Sequence, residues 1–198
     1  NYSQHDAISN WDDIQSYIHN NPQINEVILS GGDPLSLSDD KLASLVANIE
    51  QISFIKTLRI HTRSAIVTPS RVTDRFISIL QNSRLNTVLV FHINHSRELS
   101  AAFIDKTKEL KNITLLNQSV LLKGVNDNFE TLKQLSLALF DCGILPYYLH
   151  MLDKVTGSEV FLVEDKIAIQ LHQKLQSALS GYLVPKLVRD EAQQSKTW

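Results

Sequence analysis

Val27-Ile28-Leu29-Ser30-Gly31-Gly32-Asp33-Pro34-Leu35, VILSGGDPL, is an apolar run that stops at a loop with almost no side chain, followed by one carboxylate. Taken alone, the nine residues fit a plain tight turn as well as a loop that presents its backbone, because glycine reaches positive φ cheaply. The rest of the chain repeats the pattern. Apolar, β-rich runs recur at Glu26–Ser30, Thr57–Thr62, Thr87–Asn94, Ile113–Leu116, Pro146–Met151 and Tyr182–Val188. Their starts lie roughly 30 residues apart, the length of one βα unit.

Helical stripes fill the gaps. Leu42, Leu45, Val46 and Ile49 repeat at helical spacing behind a Ser38/Asp39 cap. Val72, Phe76, Ile79 and Leu80 form a second stripe, and Leu99, Ala102, Phe103 and Leu110 a third. Leu132, Leu135, Ala138 and Leu139 form a fourth, closed by Gly143 as a C-cap. Ala168, Leu171, Leu175, Ala178 and Leu179 form a fifth, ended by Gly181. Trp11, Ile14, Tyr17 and Ile18 precede the first strand, with Asn10 as cap. Short continuous apolar runs alternating with such helices predict buried parallel strands joined by right-handed crossovers. Six strands are too few for a closed eight-fold barrel. An open doubly wound sheet and a partial (βα)6 barrel remain, and the even spacing with polar strand ends favours the partial barrel, as one domain over 1–198.

Composition narrows the class. The 198 residues are 43% hydrophobic with a net charge of −2, so the chain carries a sizeable core and no basic face for nucleic acid. No run is long enough to span a membrane, and the polar opening NYSQHDAISNWDD is not a signal peptide. One cysteine, Cys142, excludes an internal disulfide, fits a reducing cytoplasm, and excludes an all-cysteine metal cluster held by this chain alone.

The polar residues cluster at the strand ends. Ser30-Gly31-Gly32-Asp33 follow the first strand; Arg59, His61 and Arg63 mark the second; His92, Asn94 and His95 the third; Asn117, Gln118 and Ser119 the fourth; Tyr148, His150 and Asp153 the fifth; Arg189 and Asp190 the sixth. In α/β barrels the active site sits at that C-terminal face. Each residue also has a plain structural reading, since a histidine beside an apolar strand is commonly a hydrogen-bonded core residue and Asn126-Asp127-Asn128 reads as a turn and cap. The constellation, rather than any one member, points to a shared site.

Six collinear motifs carry a resemblance: VILSGGDPLSLSDDKL, LRIHTRSAIVTPSRVT, HINH, LLNQSVLLKGVNDN, PYYLHMLDKVTGSEVF and SGYLVPKLVRD…SKT. Together they resemble the lysine 2,3-aminomutase family of radical S-adenosylmethionine enzymes, and most closely the branch that makes (R)-β-lysine for translation elongation factor P. The resemblance implies a partial (βα)6 barrel and three cofactors: a [4Fe-4S] cluster, S-adenosylmethionine and pyridoxal 5′-phosphate. It implies L-lysine as the substrate, whose α-amino group moves to C3. By carry-over, Ser30, Gly31, Gly32 and Asp33 match the loop near the methionine amino group, and His92 and Gln118 match positions beside S-adenosylmethionine. Tyr148 and His150 match the pyridoxal phosphate pocket, although the family often has tyrosine where this chain has His150. Asp153 and Asp190 match the carboxylates that hold the substrate's ε-ammonium, and Lys196 the Schiff-base lysine. The loop from Asp190 to Lys196 is shorter than in the metabolic aminomutases and lacks their glycine run.

The family's C-x3-C-x2-C segment would lie upstream of Asn1, so the chain is expected to be a barrel truncated on its N-terminal side and inactive by itself. An uncovered barrel edge leads to an expectation of self-association. Two readings from other classes compete. One is a metal-dependent barrel hydrolase using His61, His92, His95, His150 and Asp153 as ligands. The other is a binding module that keeps the barrel without the chemistry.

Overall fold

The computed structural model describes residues 11–153 and 157–189. Helix α1 (Trp11–His19) leads into β1 (Glu26–Leu29), and a short 3₁₀ turn (Pro34–Ser36) follows the glycine loop. Helix α2 (Asp39–Glu50) starts at Ser38, whose side chain accepts from the Lys41 amide, and carries Leu42, Val46 and Ile49 to the core. Strand β2 (Thr57–Thr62), the short helix α3 (Ser64–Val67) and helix α4 (Asp74–Gln81) come next. Then follow β3 (Asn86–His92), α5 (Ala101–Glu109), β4 (Thr114–Leu121), α6 (Phe129–Asp141), β5 (Leu145–Met151), α7 (Asp165–Ala178) and β6 (Lys186–Val188).

The six strands form one sheet, all parallel, in the order β1-β2-β3-β4-β5-β6. A doubly wound sheet would reverse its order at a switch point. Strictly sequential order is that of a barrel wall left open, as the even spacing of the sequence predicts. Alternation decides which residues face the helices. In β2, Leu58, Ile60 and Thr62 are buried while Thr57, Arg59 and His61 are only half-buried. Leu58 and Ile60 join Leu89, Phe91, Leu115 and the inner residues of α2, α4, α5 and α6 in one apolar cluster. A second cluster, around Leu121, Leu149, Met151, Leu171 and Leu175, fills the space under β5 and α7. Between the two runs a polar seam of buried Asn117, Ser119 and Ser136.

Local chemistry explains the boundaries. Helix α6 ends at a left-handed Gly143 (φ +75°), with the Ile144 amide bonded to the Leu139 carbonyl and the Gly143 amide to that of Phe140. This is the Schellman arrangement, and Gly143 serves as the expected cap. The Gly181 expectation fails. Helix α7 ends at Ala178 with Leu179 as its cap, and Gly181 instead opens a 3₁₀ turn, Gly181–Leu183. The expected sixth strand therefore shrinks to Lys186–Val188, because a 3₁₀ turn takes up its apolar start. The fourth strand runs further than Ile113–Leu116: the polar residues 117–119 lie within β4, not beyond it. No helix among the described residues is long and apolar enough to cross a membrane.

Candidate functional site

The helices cover one face of the sheet, and the other face is the candidate site. Register places its side chains in rows. His92 pairs with Gln118, Gln118 with Tyr148, and Tyr148 with Lys186, so these four stand side by side across β3 to β6. One step further along, Val120, His150 and Val188 form the next row. Three of the residues singled out from sequence (His92, Gln118 and Tyr148) therefore share one line on one face, and His150 sits directly above Tyr148 with rings 5.5 Å apart.

Two further half-buried groups lie on this face: Arg59, one of the polar strand residues noted from sequence, and Tyr147, which sequence does not single out. Arg59 pairs with Glu26 of the neighbouring strand at 2.8 Å. Tyr147, which strict alternation would turn toward the helices, lies on the open face. The β4–β5 register slips between Asn117 and Gln118, so Pro146 pairs with Asn117 and Tyr148 with Gln118, leaving Tyr147 as the extra residue of a bulge. Its ring stacks 3.8 Å from that of Tyr148, and its hydroxyl donates to the Tyr148 hydroxyl at 2.9 Å. Burial pushes the Tyr147 phenol up, reinforced by that hydrogen bond. A bulge leaves no pattern in the sequence, so only the adjacent tyrosines could have hinted at the pair.

At the mouth of β1, Ser30, Gly31 and Gly32 are exposed, and both glycines are left-handed (φ +77° and +46°). A Cβ at Gly31 would meet nothing within 4 Å, so the positive φ, not crowding, is what calls for glycine. Asp33 turns inward. Its carboxylate accepts the Leu35 amide at 3.0 Å, the Thr62 hydroxyl at 2.8 Å, and the Arg63 and Ser64 amides at 2.7 Å each. Burial alone would raise its pKa, but the four donors outweigh burial and hold it below the usual carboxylate value of 3.8. A depressed native pKa gives stability that is present above the unfolded-state value and lost as pH falls through the folded one. Asp33→Asn is therefore less stable than the parent at pH 7, and the gap closes below about pH 4. Urea unfolding of both proteins across pH 7 to 2 checks this; a constant gap would contradict it.

His92 is half-buried, and its Nε2 is buried with no hydrogen-bond partner. Burial and the nearby Arg63 charge lower its pKa against the opposing pull of Glu98 and Asn94, so the imidazole is neutral at pH 7.

Other sequence candidates have structural employment. Asn117 faces the helices, its Oδ1 accepting the Ile93 amide at 2.9 Å and its Nδ2 donating to the Ile93 carbonyl at 3.0 Å. Ser119 donates to the same carbonyl at 2.7 Å. Asn126 donates to the carbonyls of Asn94 and Val120, and Asn128 caps α6. His95 caps the turn after β3, its Nδ1 accepting the Arg97 amide. Asp153 is exposed, two residues past β5. Asp190 and Lys196 lie outside the described residues, as does the Asn10 cap. Among the described residues no three His, Cys, Asp or Glu side chains gather to hold a metal ion, so the hydrolase reading finds no ligand set there.

The chain is similar to known proteins along most of its length. It is 52% identical over 184 residues to L-lysine 2,3-aminomutase of Haemophilus influenzae, covering 92% of this chain and 54% of that protein. To the Escherichia coli K12 protein of the same name it is 48% identical over 183 residues, covering 91% of this chain and 54% of the relative. To that of Clostridium subterminale it is 35% identical over 179 residues, covering 88% and 42%. The chain thus spans about half the length of the curated relatives it matches. Its fold matches a radical SAM methyltransferase from Sphaerobacter thermophilus with a TM-score of 0.62 at 13% identity, covering 91% of this chain and 57% of that one. No family model matches the chain.

Proposed function

We propose that, along the length it shares with these relatives, the chain belongs to the lysine 2,3-aminomutase family and forms the substrate-facing wall of an L-lysine 2,3-aminomutase. The reaction is an isomerisation that moves the α-amino group of L-lysine to C3, giving β-lysine. The observation that carries the reading is the row His92–Gln118–Tyr148 on the open face of the sheet.

The residues present fit S-adenosylmethionine. The orphaned Nε2 of His92 is a buried polar atom that needs a partner, and Gln118 stands beside it. A neutral His92 offers a hydrogen bond without setting a second positive charge against a sulfonium. The exposed glycine loop offers backbone carbonyls to an ammonium. Tyr148 and His150 fit one side of a pyridoxal phosphate pocket, with the Schiff-base role assigned to Lys196. Asp153 and Asp190 are assigned to the ε-ammonium of lysine, since a desolvated ammonium calls for carboxylates. An iron–sulfur cluster does not fit this chain: its one cysteine, Cys142, caps the end of α6. Cluster thiolates would come from the part of the relatives that this chain does not span, and the chain alone is expected to give no β-lysine. When bound, these cofactors supply radical generation and electron delocalisation; the wall binds, orients and excludes water. We place the protein in the cytoplasm and its product in the modification of elongation factor P, on the resemblance to that branch.

The test is a chimera in which this chain replaces the matching segment of the Haemophilus influenzae relative. It should convert L-lysine to β-lysine, and His92→Ala should lower kcat/KM about a hundred-fold, as for loss of a ligand-orienting group. A folded chimera that binds S-adenosylmethionine and leaves lysine unchanged would overturn the proposal.

A further inference from the structure

The hydrogen-bonded ladder between β2 and β3 ends at the pair Thr62–Phe91. Beyond it, side chains take over. Asp33, after β1, holds the backbone amide of Arg63. The guanidinium of Arg63 then crosses to β3, its Nη1 donating to the His92 carbonyl at 2.9 Å and its Nη2 to Glu98 Oε2 at 3.1 Å. The other Glu98 oxygen accepts the amides of Asn94 at 2.8 Å and His95 at 2.9 Å. Asn94 passes the connection on, its Oδ1 accepting the Val120 amide of β4 at 2.8 Å. An unbroken polar path therefore runs from the glycine loop to β4, and the His92 carbonyl lies on it.

We propose that Arg63 is a positioning residue: with Asp33 on its backbone and Glu98 on its fork, it fixes the glycine loop and His92 in one geometry before a ligand arrives. The inference rests on the reading of this face as an S-adenosylmethionine site. The Arg63–Glu98 pair is part-exposed, at 46% and 23% side-chain accessibility, so as an ion pair it adds little stability. Its value is geometric. The planar fork holds a carbonyl and a carboxylate in fixed relative directions, which the rotating ammonium of a lysine does not.

The test uses the full chain with Arg63→Gln, Arg63→Lys and Glu98→Gln. The charged groups acting on His92 are Arg63 and Glu98, with opposite effects. In imidazole NMR titrations, Arg63→Gln should raise the His92 pKa and Glu98→Gln should lower it. Generic loosening would move both the same way, upward, by relieving burial. Hydrogen exchange at the Asn94 and His95 amides should speed up in both Arg63 variants, although the acceptor of both amides is Glu98. Calorimetry with S-adenosylmethionine should show about ten-fold weaker binding for Arg63→Lys, which keeps the charge but loses the fork. Same-direction His92 shifts, or exchange at Asn94 and His95 unchanged from the parent, would overturn the positioning role. If titration and exchange behave as expected while the parent chain does not bind S-adenosylmethionine, the ligand reading fails and the positioning role of Arg63 stands.

Discussion

Phe91→Ala lowers the unfolding free energy by about 3–5 kcal/mol, among the largest losses a single core truncation produces. Phe91 is fully buried at 0% exposure, in the centre of the sheet. Its ring meets Phe103 of α5 edge-on, with centroids 5.1 Å apart at 89°. Truncation removes the ring, its burial and the aromatic pair, and leaves a cavity between two regular elements that cannot easily collapse. Because Phe91 immediately precedes His92, the loss also loosens the strand that presents His92. Urea unfolding followed by circular dichroism reads the change. A loss under 1 kcal/mol would mean that β3 and α5 do not pack as described.

Asn117→Leu costs about 2–3 kcal/mol despite similar volume. Asn117 is buried at 1% and serves both polar groups of Ile93. Leucine leaves the Ile93 amide with no acceptor, while the Ile93 carbonyl keeps Ser119. A buried, unsatisfied amide costs most of its desolvation penalty. Asn117→Ser, which supplies a hydroxyl in place of the carboxamide, should recover only part of the loss because it cannot span both groups. Stability of Asn117→Leu equal to the parent would show that the seam between the two apolar clusters is wet or mobile rather than bonded.

These seam residues also show where the sequence stops being readable. The repeat of strand and helix, the stripes of α2 and α6, and the stop at Gly143 are all visible as patterns, because apolar periodicity and left-handed glycine have direct local causes. Asn117 and Ser119 read as loop because polar residues rarely occupy the buried face of a strand. They occur here because β3 turns away after His92 and its backbone needs side-chain partners on β4. At the other end, Tyr182-Leu183-Val184 looks like strand but forms a 3₁₀ turn and its exit, since an apolar run does not state its own twist.

The site divides along the same line. That the polar residues gather at strand ends is legible, and His92, Gln118 and Tyr148 share a row because parallel register aligns positions the sequence keeps at βα spacing. Which of them face the open side is not legible without register. Asp33 illustrates the difference: its place after two glycines suggests a ligand, yet its oxygens are engaged by four donors of the protein itself. Arg63, one more cation in RIHTR by sequence, links two strand ends.

The direct measurement is amide and side-chain NMR shift mapping on this chain as S-adenosylmethionine is added. A site on the open face predicts saturable shifts at Gly31, Gly32, His92 and the Gln118 side-chain amide, with α5 and α7 unmoved. Shifts confined to the outer helices, or saturable binding that leaves those four residues unchanged, would contradict it.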